Sequence, residues 1–168
     1  MKRLTLAAIM IMVVTLSMAS ISQAAMTQGI PDNGKVQFMS GNFKAADTYK
    51  ARLYVTASTT MSVATTTNCS ATGELSGGNY AAATLSGVAI TSDTTNHYAI
   101  WSMTSPSWAN LTAAHVDGMA ICDYTSPNDV TNGTLVAYFT FTDTPTTAGT
   151  LQVTVPTAAY NTGLITWH

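Results

Sequence analysis

The feature that most constrains this fold is a two-residue alternation of apolar and polar side chains, repeated in short runs. In residues 49–55 the odd positions are apolar, while Lys50 and Arg52 place charge at even positions. Successive side chains of a β-strand point to opposite faces, so this pattern predicts a strand with one buried face. The clearest strand signal is the β-branched and aromatic run at 135–141. Further strands are predicted at 83–90, 97–103, 116–124, 151–155 and 164–167, with candidate bulges at Gly87 and Gly118.

Turn-forming residues separate these runs, for example at 76–79, at 126–129 and at Asn132-Gly133. Seven to eight short strands at this spacing predict an all-β fold, an antiparallel β-sandwich of either the Ig-like or the jelly-roll type. A short helical stretch is predicted near 36–46. Residues 57–73 are so rich in Ser, Thr and Ala that they are predicted to form a long surface loop or a weak edge strand.

The composition excludes one class of function. Charged residues make up 8% of the 168 residues, and Lys and Arg number 6, whereas globular domains usually carry about 25% charged residues. Binding to phosphate backbones needs clustered cations, so no nucleic-acid partner is expected. The chain instead carries 30 threonines and 14 serines, and threonine favours strands.

The first 24 residues differ from the rest. Met1-Lys2-Arg3 is positively charged, residues 4–19 carry no charge, and Ser22-Gln23-Ala24 offers small residues to a signal peptidase. This order is typical of a secretory leader cleaved after Ala24, the alternative being an uncleaved anchor helix, which would be the chain's one link to a membrane. The predicted organisation is a leader at 1–24, an N-terminal arm at 25–47 and a β-sandwich domain at 48–168.

The chain has two cysteines, Cys69 and Cys122. If the leader exports the chain to an oxidising compartment, the two are candidates for one disulfide. The alternative is a pair of buried or partly buried thiols, as expected for a protein assembled in the cytoplasm. Both interpretations follow from the sequence.

Residues able to carry catalysis or bind a metal are present but lack the required spacing. His97, His115 and His168 match no metal-ligand pattern. The stretch Gly73-Glu74-Leu75-Ser76-Gly77 lacks the spacing of a nucleophilic serine turn. Calcium could use Asp123, Asp129 and Asp143, but acids in turns more often bond their own backbone. We therefore predict no catalytic residue, no cofactor and no metal site.

Tryptophans are common contact residues, and the chain has three. Trp101 alternates with neighbouring apolar residues and is expected in the core. Trp108 lies close to Pro106 and is predicted to sit in a loop as an exposed contact residue. Trp167 belongs to the last candidate strand.

A series of segments in the second part of the chain follows a recognisable order. The series begins at 43–56, which reads Phe-Lys-Ala-Ala-Asp-Thr-Tyr-Lys-Ala-Arg-Leu-Tyr-Val-Thr. It continues through 64–67, 71–80, 83–88, the region of Trp108, 109–114, 118–124 and 151–156. In this order and spacing, over about 125 residues, the chain at 43–168 resembles a group of small virion-associated proteins of tailed bacteriophages.

The resemblance implies a structural role. It points to a non-enzymatic β-sandwich subunit of a virion, serving as a head decoration, cement or fibre-like component. Its expected partners are capsid proteins or copies of itself, in a homo-oligomer or array. The leader and the Cys69/Cys122 pair are compatible with an alternative, a secreted surface-appendage subunit or adhesin-like binding module at the cell surface.

Overall fold

The structure is a computed structural model. It describes residues 27–57, 61, 67–95, 98–125, 127, 129–155 and 165–167. Within them it contains ten strands and one short helix. The predictions made for the leader at 1–24, for His97 and His168, and for the side chain of Trp167 lie outside the described residues.

The larger of the two layers is a five-stranded antiparallel sheet. Its strands, in spatial order, are β1 (Thr27–Gly29), β8 (Thr134–Thr140), β7 (Gly118–Asp123), β2 (Tyr49–Tyr54) and β3 (Ala83–Thr84). The pairings of β2 with β7 and of β7 with β8 are the longest in this sheet. We call it the main sheet.

The second layer consists of two separate antiparallel sheets. One has the order β10 (Ile165–Trp167), β5 (Tyr98–Ser102) and β4 (Ala89–Asp93); the other pairs β6 (Ser107–Ala113) with β9 (Thr146–Gln152). Buried side chains from both pack with the main sheet in one hydrophobic core, which includes Leu53, Met119, Phe139, Trp101, Leu111 and Leu151. The all-β antiparallel sandwich predicted from the alternation is confirmed.

The outer face of the main sheet is also covered. Every described residue of β7 is buried, and so is every residue of β8 except Thr140. A second, smaller core on this face is formed by Tyr54, Ala57, Met61, Cys69, Ala120, Cys122, Leu135 and Tyr138. Several of these residues belong to the segment after β2, described at 55–57, 61 and 67–75, which we call the cover. The cover explains why 118–123 carries apolar or small residues at nearly every position.

The bulge in the main sheet lies elsewhere than the sequence predicted. The β7–β8 register shifts between Ile121 and Cys122, whereas Gly118 pairs regularly with Tyr54 and Thr140. The shift lets Val136 and Ala137 both contribute to the central core. Glycine is required at position 118 for steric reasons, because a Cβ there would lie 2.1 Å from the Ala57 Cβ.

The predicted strand at 83–90 is divided in two. Gly87 has a φ of +63°, a backbone region that residues other than glycine enter at a cost. The chain turns there, so β3 pairs in the main sheet while β4 pairs with β5 in the second layer.

The N-terminal arm predicted at 25–47 is integrated into the sandwich. Strand β1 pairs with β8, and the helix α1 (Asp32–Met39) follows directly. Gly34 of α1 is buried against β8, and a Cβ added there would lie 3.0 Å from Val136 O. The helix begins and ends earlier than the predicted stretch of 36–46.

Two adjacent glycines allow a matched test of the second layer. Gly77 and Gly78 have φ values of +74° and +60°, yet a Cβ on Gly77 would meet no atom within 4 Å, whereas one on Gly78 would lie 1.8 Å from Thr112 O. We expect Gly77→Ala to lower the free energy of unfolding by about 1–2 kcal/mol. Gly78→Ala should cost about 1–3 kcal/mol more. Urea unfolding of the two variants measures the difference, and equal midpoints would contradict the close approach of Gly78 to β6.

Candidate interaction surface

An apolar pocket of about 500 Å³ lies between the N-terminal helix and the edge of the second layer. Its lining is contributed by α1 and the turn after it, and by β4 and β5: Phe38, Met39, Gly41, Phe43, Ile90, Ala99, Ile100 and Trp101. Apolar concavities of this size are common at binding sites. This pocket is the candidate interaction surface.

The helix and its termination position one wall of the pocket. At the start of α1, Lys35 Nζ lies 2.8 Å from Asp32 Oδ1. At the end, Gly41 has a φ of +68° and donates from its backbone N to Phe38 O. This left-handed turn reverses the chain after the helix, so that Phe38 and Phe43 meet edge to face with ring centroids 4.8 Å apart.

The floor of the pocket is Trp101. Its ring packs edge to face against Phe38 at 5.3 Å and against Tyr49 of the main sheet at 5.2 Å. Trp101 is 3% exposed, which confirms its predicted place in the core. Its indole Nε1 is buried and has no hydrogen-bond partner among the residues that the structure describes.

The rim of the pocket carries apolar side chains in solvent. Met39 is 79% exposed and Ile90 is 49% exposed. Single exposed apolar side chains are ordinary, but exposed ones beside an apolar concavity are typical of protein interaction sites. Strand β4, which carries Ile90, is the last strand of its sheet. A sheet edge presents unpaired backbone groups to a partner.

The prediction that Trp108 is an exposed contact residue is wrong. Trp108 lies in β6 opposite Leu151 of β9, is 5% exposed, and donates from Nε1 to Ala81 O at 2.9 Å. Alternation in β6 is hard to see in the sequence, because Asn110, with a φ of +55°, interrupts it where the β6–β9 register shifts. The sequence pattern consequently favours a loop here.

Cys69 and Cys122 form a disulfide, the first of the two alternatives left open by the sequence. The Sγ atoms are 2.03 Å apart and the Cα atoms 6.1 Å apart, and both residues are fully buried. The bond joins the cover to β7.

Side chains beside the disulfide form a polar network at the outer face of the main sheet. Arg52 pairs with Glu74, and Tyr80 donates from its hydroxyl to Glu74 Oε1 at 2.7 Å while accepting from Leu53 N at 3.0 Å. Two effects raise the pKa of Tyr80 above its usual range: burial, which is the larger, and the hydrogen bond to Glu74. Tyr80 therefore remains a donor. Sequence reasoning did not identify this network, because its members come from three separate segments.

The aspartates that could have bound calcium instead accept hydrogen bonds from neighbouring backbone or side-chain groups. Asp123 Oδ1 accepts from Thr125 N at 2.7 Å, and Asp129 Oδ1 accepts from Thr131 N and Asn132 N at 2.9 Å. These bonds are those expected of acids in turns. The described residues contain no group of three His, Cys, Asp or Glu side chains placed to hold a metal ion.

Asp143 links the turn before β7 to the turn after β8. Its Oδ2 lies 2.6 Å from His115 Nδ1, and its Oδ1 accepts from Val116 N at 2.8 Å. The bond from His115 is the main cause that lowers the pKa of Asp143 below its ordinary value of 3.8. The folded state therefore favours the carboxylate.

This pairing predicts an acid-dependent loss of stability. Because folding lowers the pKa of Asp143, its contribution is present above the ordinary value and is lost as the pH falls through the folded pKa. Asp143→Asn should lower the free energy of unfolding by about 0.5–1 kcal/mol at pH 7. The difference from the original protein should vanish once the pH falls below the folded pKa of Asp143. Urea unfolding across this range tests it, and a difference independent of pH would contradict the assignment.

Comparisons with family models, curated proteins and solved structures give no match to this chain. Among the described residues, no helix combines the length and apolar character needed to cross a membrane.

Proposed function

We propose that this chain is a non-enzymatic structural subunit of a tailed-bacteriophage particle, a head decoration, cement or fibre-like protein that acts through protein–protein contacts. The observation that carries the proposal is the apolar pocket floored by Trp101, with Met39 and Ile90 exposed at its rim. A neighbouring subunit would cover this surface and remove its apolar side chains from water. The sequence resemblance of residues 43–168 supplies the class of particle.

The edge strand next to the pocket supports the same mode of action. Among the described strands, β4 has a partner on one side, β5, and ends the sheet on the other. An extended segment of a neighbour could add to β4 while placing an apolar side chain in the pocket. A contact of this kind is individually weak, but closed symmetry and multiple attachment strengthen it in an array. The expected partners are capsid proteins or further copies of the chain.

The decisive experiment is mass spectrometry of purified phage particles from a culture that encodes the chain. We expect its peptides in the particles at a constant ratio to the major capsid protein, with Ala25 or Met1 at the N-terminus according to processing. Particles that lack these peptides would refute the proposal.

A charge placed at the pocket rim should strongly reduce incorporation into particles. Ile90→Asp puts a carboxylate where a partner would have to bury it, so we expect at least a tenfold drop in copies per particle. Val130→Asp is the matched control, because Val130 is 60% exposed and does not line the pocket. Both variants should unfold at nearly the original urea concentration. Equal incorporation of the two would show that the pocket is not the contact.

A second candidate is a secreted surface-appendage subunit or adhesin-like binding module. The observation that favours it is the buried disulfide between Cys69 and Cys122, because such bonds persist mainly in oxidising compartments. Fractionation separates the two proposals. Recovery of the chain in the cell-surface or culture fraction of cells that release no particles would support the second, whereas co-purification with particles supports the first.

A further inference from the structure

Arg52 occupies the centre of the cover's attachment to the main sheet. Its Nη1 donates to Cys69 O at 2.8 Å and to Asn132 O at 3.1 Å, and its Nη2 lies 2.5 Å from Glu74 Oε2. Cys69 and Glu74 belong to opposite ends of the cover's described 67–75 stretch. One guanidinium therefore holds both ends of this stretch and the turn before β8.

Backbone bonds place the same two ends. At one end Cys69 N donates to Gly133 O at 2.8 Å, and Leu135 N donates to Thr67 O at 3.0 Å. At the other end Leu75 N donates to Leu53 O at 2.9 Å. Arg52 lies between these attachments, so its bonds fix the position of the Cys69 main chain relative to β2.

The register between β2 and β7 places Cys122 near Arg52 on the main sheet. In the β2–β7 pairing Arg52 is opposite Ala120 and Lys50 is opposite Cys122. Directly opposed residues share a face of the sheet, and neighbours two positions along a strand share it as well. Arg52 and Cys122 therefore lie diagonally on the outer face. The carbonyl that Arg52 binds belongs to Cys69, whose sulfur is bonded to that of Cys122.

Little water competes for these bonds. The side chain of Arg52 is 14% exposed and that of Glu74 is 15% exposed. Hydrogen bonds from charged donors are stronger than neutral ones, and low solvent access preserves that strength. These bonds do not depend on the disulfide, so we expect them to favour an ordered cover in the reduced chain as well.

We propose that Arg52 is a positioning residue for formation of the Cys69–Cys122 disulfide. The two cysteines are 53 residues apart, so an unordered chain seldom brings their sulfurs together. By holding the Cys69 carbonyl over β2, Arg52 keeps the Cys69 side chain above Cys122 and raises the effective concentration of one sulfur at the other.

The chemistry requires a small disulfide oxidant, for which glutathione disulfide serves as the probe. One cysteine thiolate attacks the oxidant, forming a mixed disulfide and releasing one glutathione thiolate. The second cysteine thiolate then attacks the protein sulfur, forming the Cys69–Cys122 bond and releasing the second glutathione thiolate. The two protons lost by the cysteines are taken up by the two glutathione thiolates. Arg52 acts on the second, intramolecular step.

The test is the rate of this closing step in the full chain. Reduced protein is folded, exposed to glutathione disulfide, and sampled by acid quenching, alkylation and mass measurement, which separates dithiol, mixed disulfide and closed forms. We expect Arg52→Met to slow closure about tenfold, with the mixed disulfide accumulating. Its dithiol–disulfide equilibrium with glutathione should shift toward the dithiol by a similar factor. Arg52→Lys, which retains one charged donor, should recover part of the rate.

Leu151→Ala is the matched control for a general loss of stability, because Leu151 is buried in the central core on β9 and is not part of the second core under the cover. Its folded, reduced form should close at the original rate. If Arg52→Met does not fold, Glu74→Gln provides the test, since it removes the charge that anchors the guanidinium and should slow closure severalfold. Closure of Arg52→Met, or in its place Glu74→Gln, at the original rate and with the original glutathione equilibrium would overturn the proposal. Slowing by Leu151→Ala to the same extent would also overturn it.

Discussion

Replacing Trp108 by alanine should lower the free energy of unfolding by about 3–5 kcal/mol, the range for truncating a large buried aromatic side chain. Trp108 is enclosed in the central core, and its indole N–H is bonded to Ala81 O. The substitution would leave a cavity between β6 and the main sheet and deprive the Ala81 carbonyl of its donor. Urea unfolding with the disulfide intact is the measurement.

Two further variants make that result specific. Trp108→Phe keeps most of the ring volume and loses the hydrogen bond, so it should cost about 1–2 kcal/mol. Met39→Ala alters a side chain that is 79% exposed and should change stability by less than about 0.5 kcal/mol. If Trp108→Ala behaved like Met39→Ala, the side chain would be at the surface, as the sequence first indicated.

Removing the disulfide should have an effect of similar size. The bond closes a chain segment with a separation of 53 residues, for which the loop-entropy relation gives about 4 kcal/mol at 25 °C. The double variant Cys69→Ala/Cys122→Ala should therefore unfold at a much lower urea concentration. Reduction of the original protein, with its thiols alkylated only after unfolding, supplies the matched control. A loss below about 1 kcal/mol in both would show that the closed loop adds little to stability.

The parts of the fold that could be predicted are strands in which one face carries apolar side chains for the core and the other carries charged side chains. Strand β2 is the clearest example, since Lys50 and Arg52 alternate with fully buried Tyr49, Ala51 and Leu53. Such a strand carries its orientation in its own residues. Its pairing partner β7 was also found, because its run of apolar and small residues is continuous.

Other elements could not be predicted because their cause lies in distant residues. Strand β6 is hidden by the left-handed Asn110, and β1 has three residues, too few for a periodic signal. The second core depends on the cover lying over Ala120 and Cys122, which no local pattern reveals. The same holds for the pocket, since Phe38, Ile90 and Trp101 come from segments that meet only after folding.

The division of the second layer has a mechanical consequence. Within the described chain no strand pairing joins the β4–β5–β10 sheet to the paired strands β6 and β9. Their buried side chains share the central core, so a displacement of one half against the other would break no ladder of backbone bonds. In the role proposed above, such a displacement would let the subunit adjust its outline to neighbours that meet at unequal angles on a closed, curved shell.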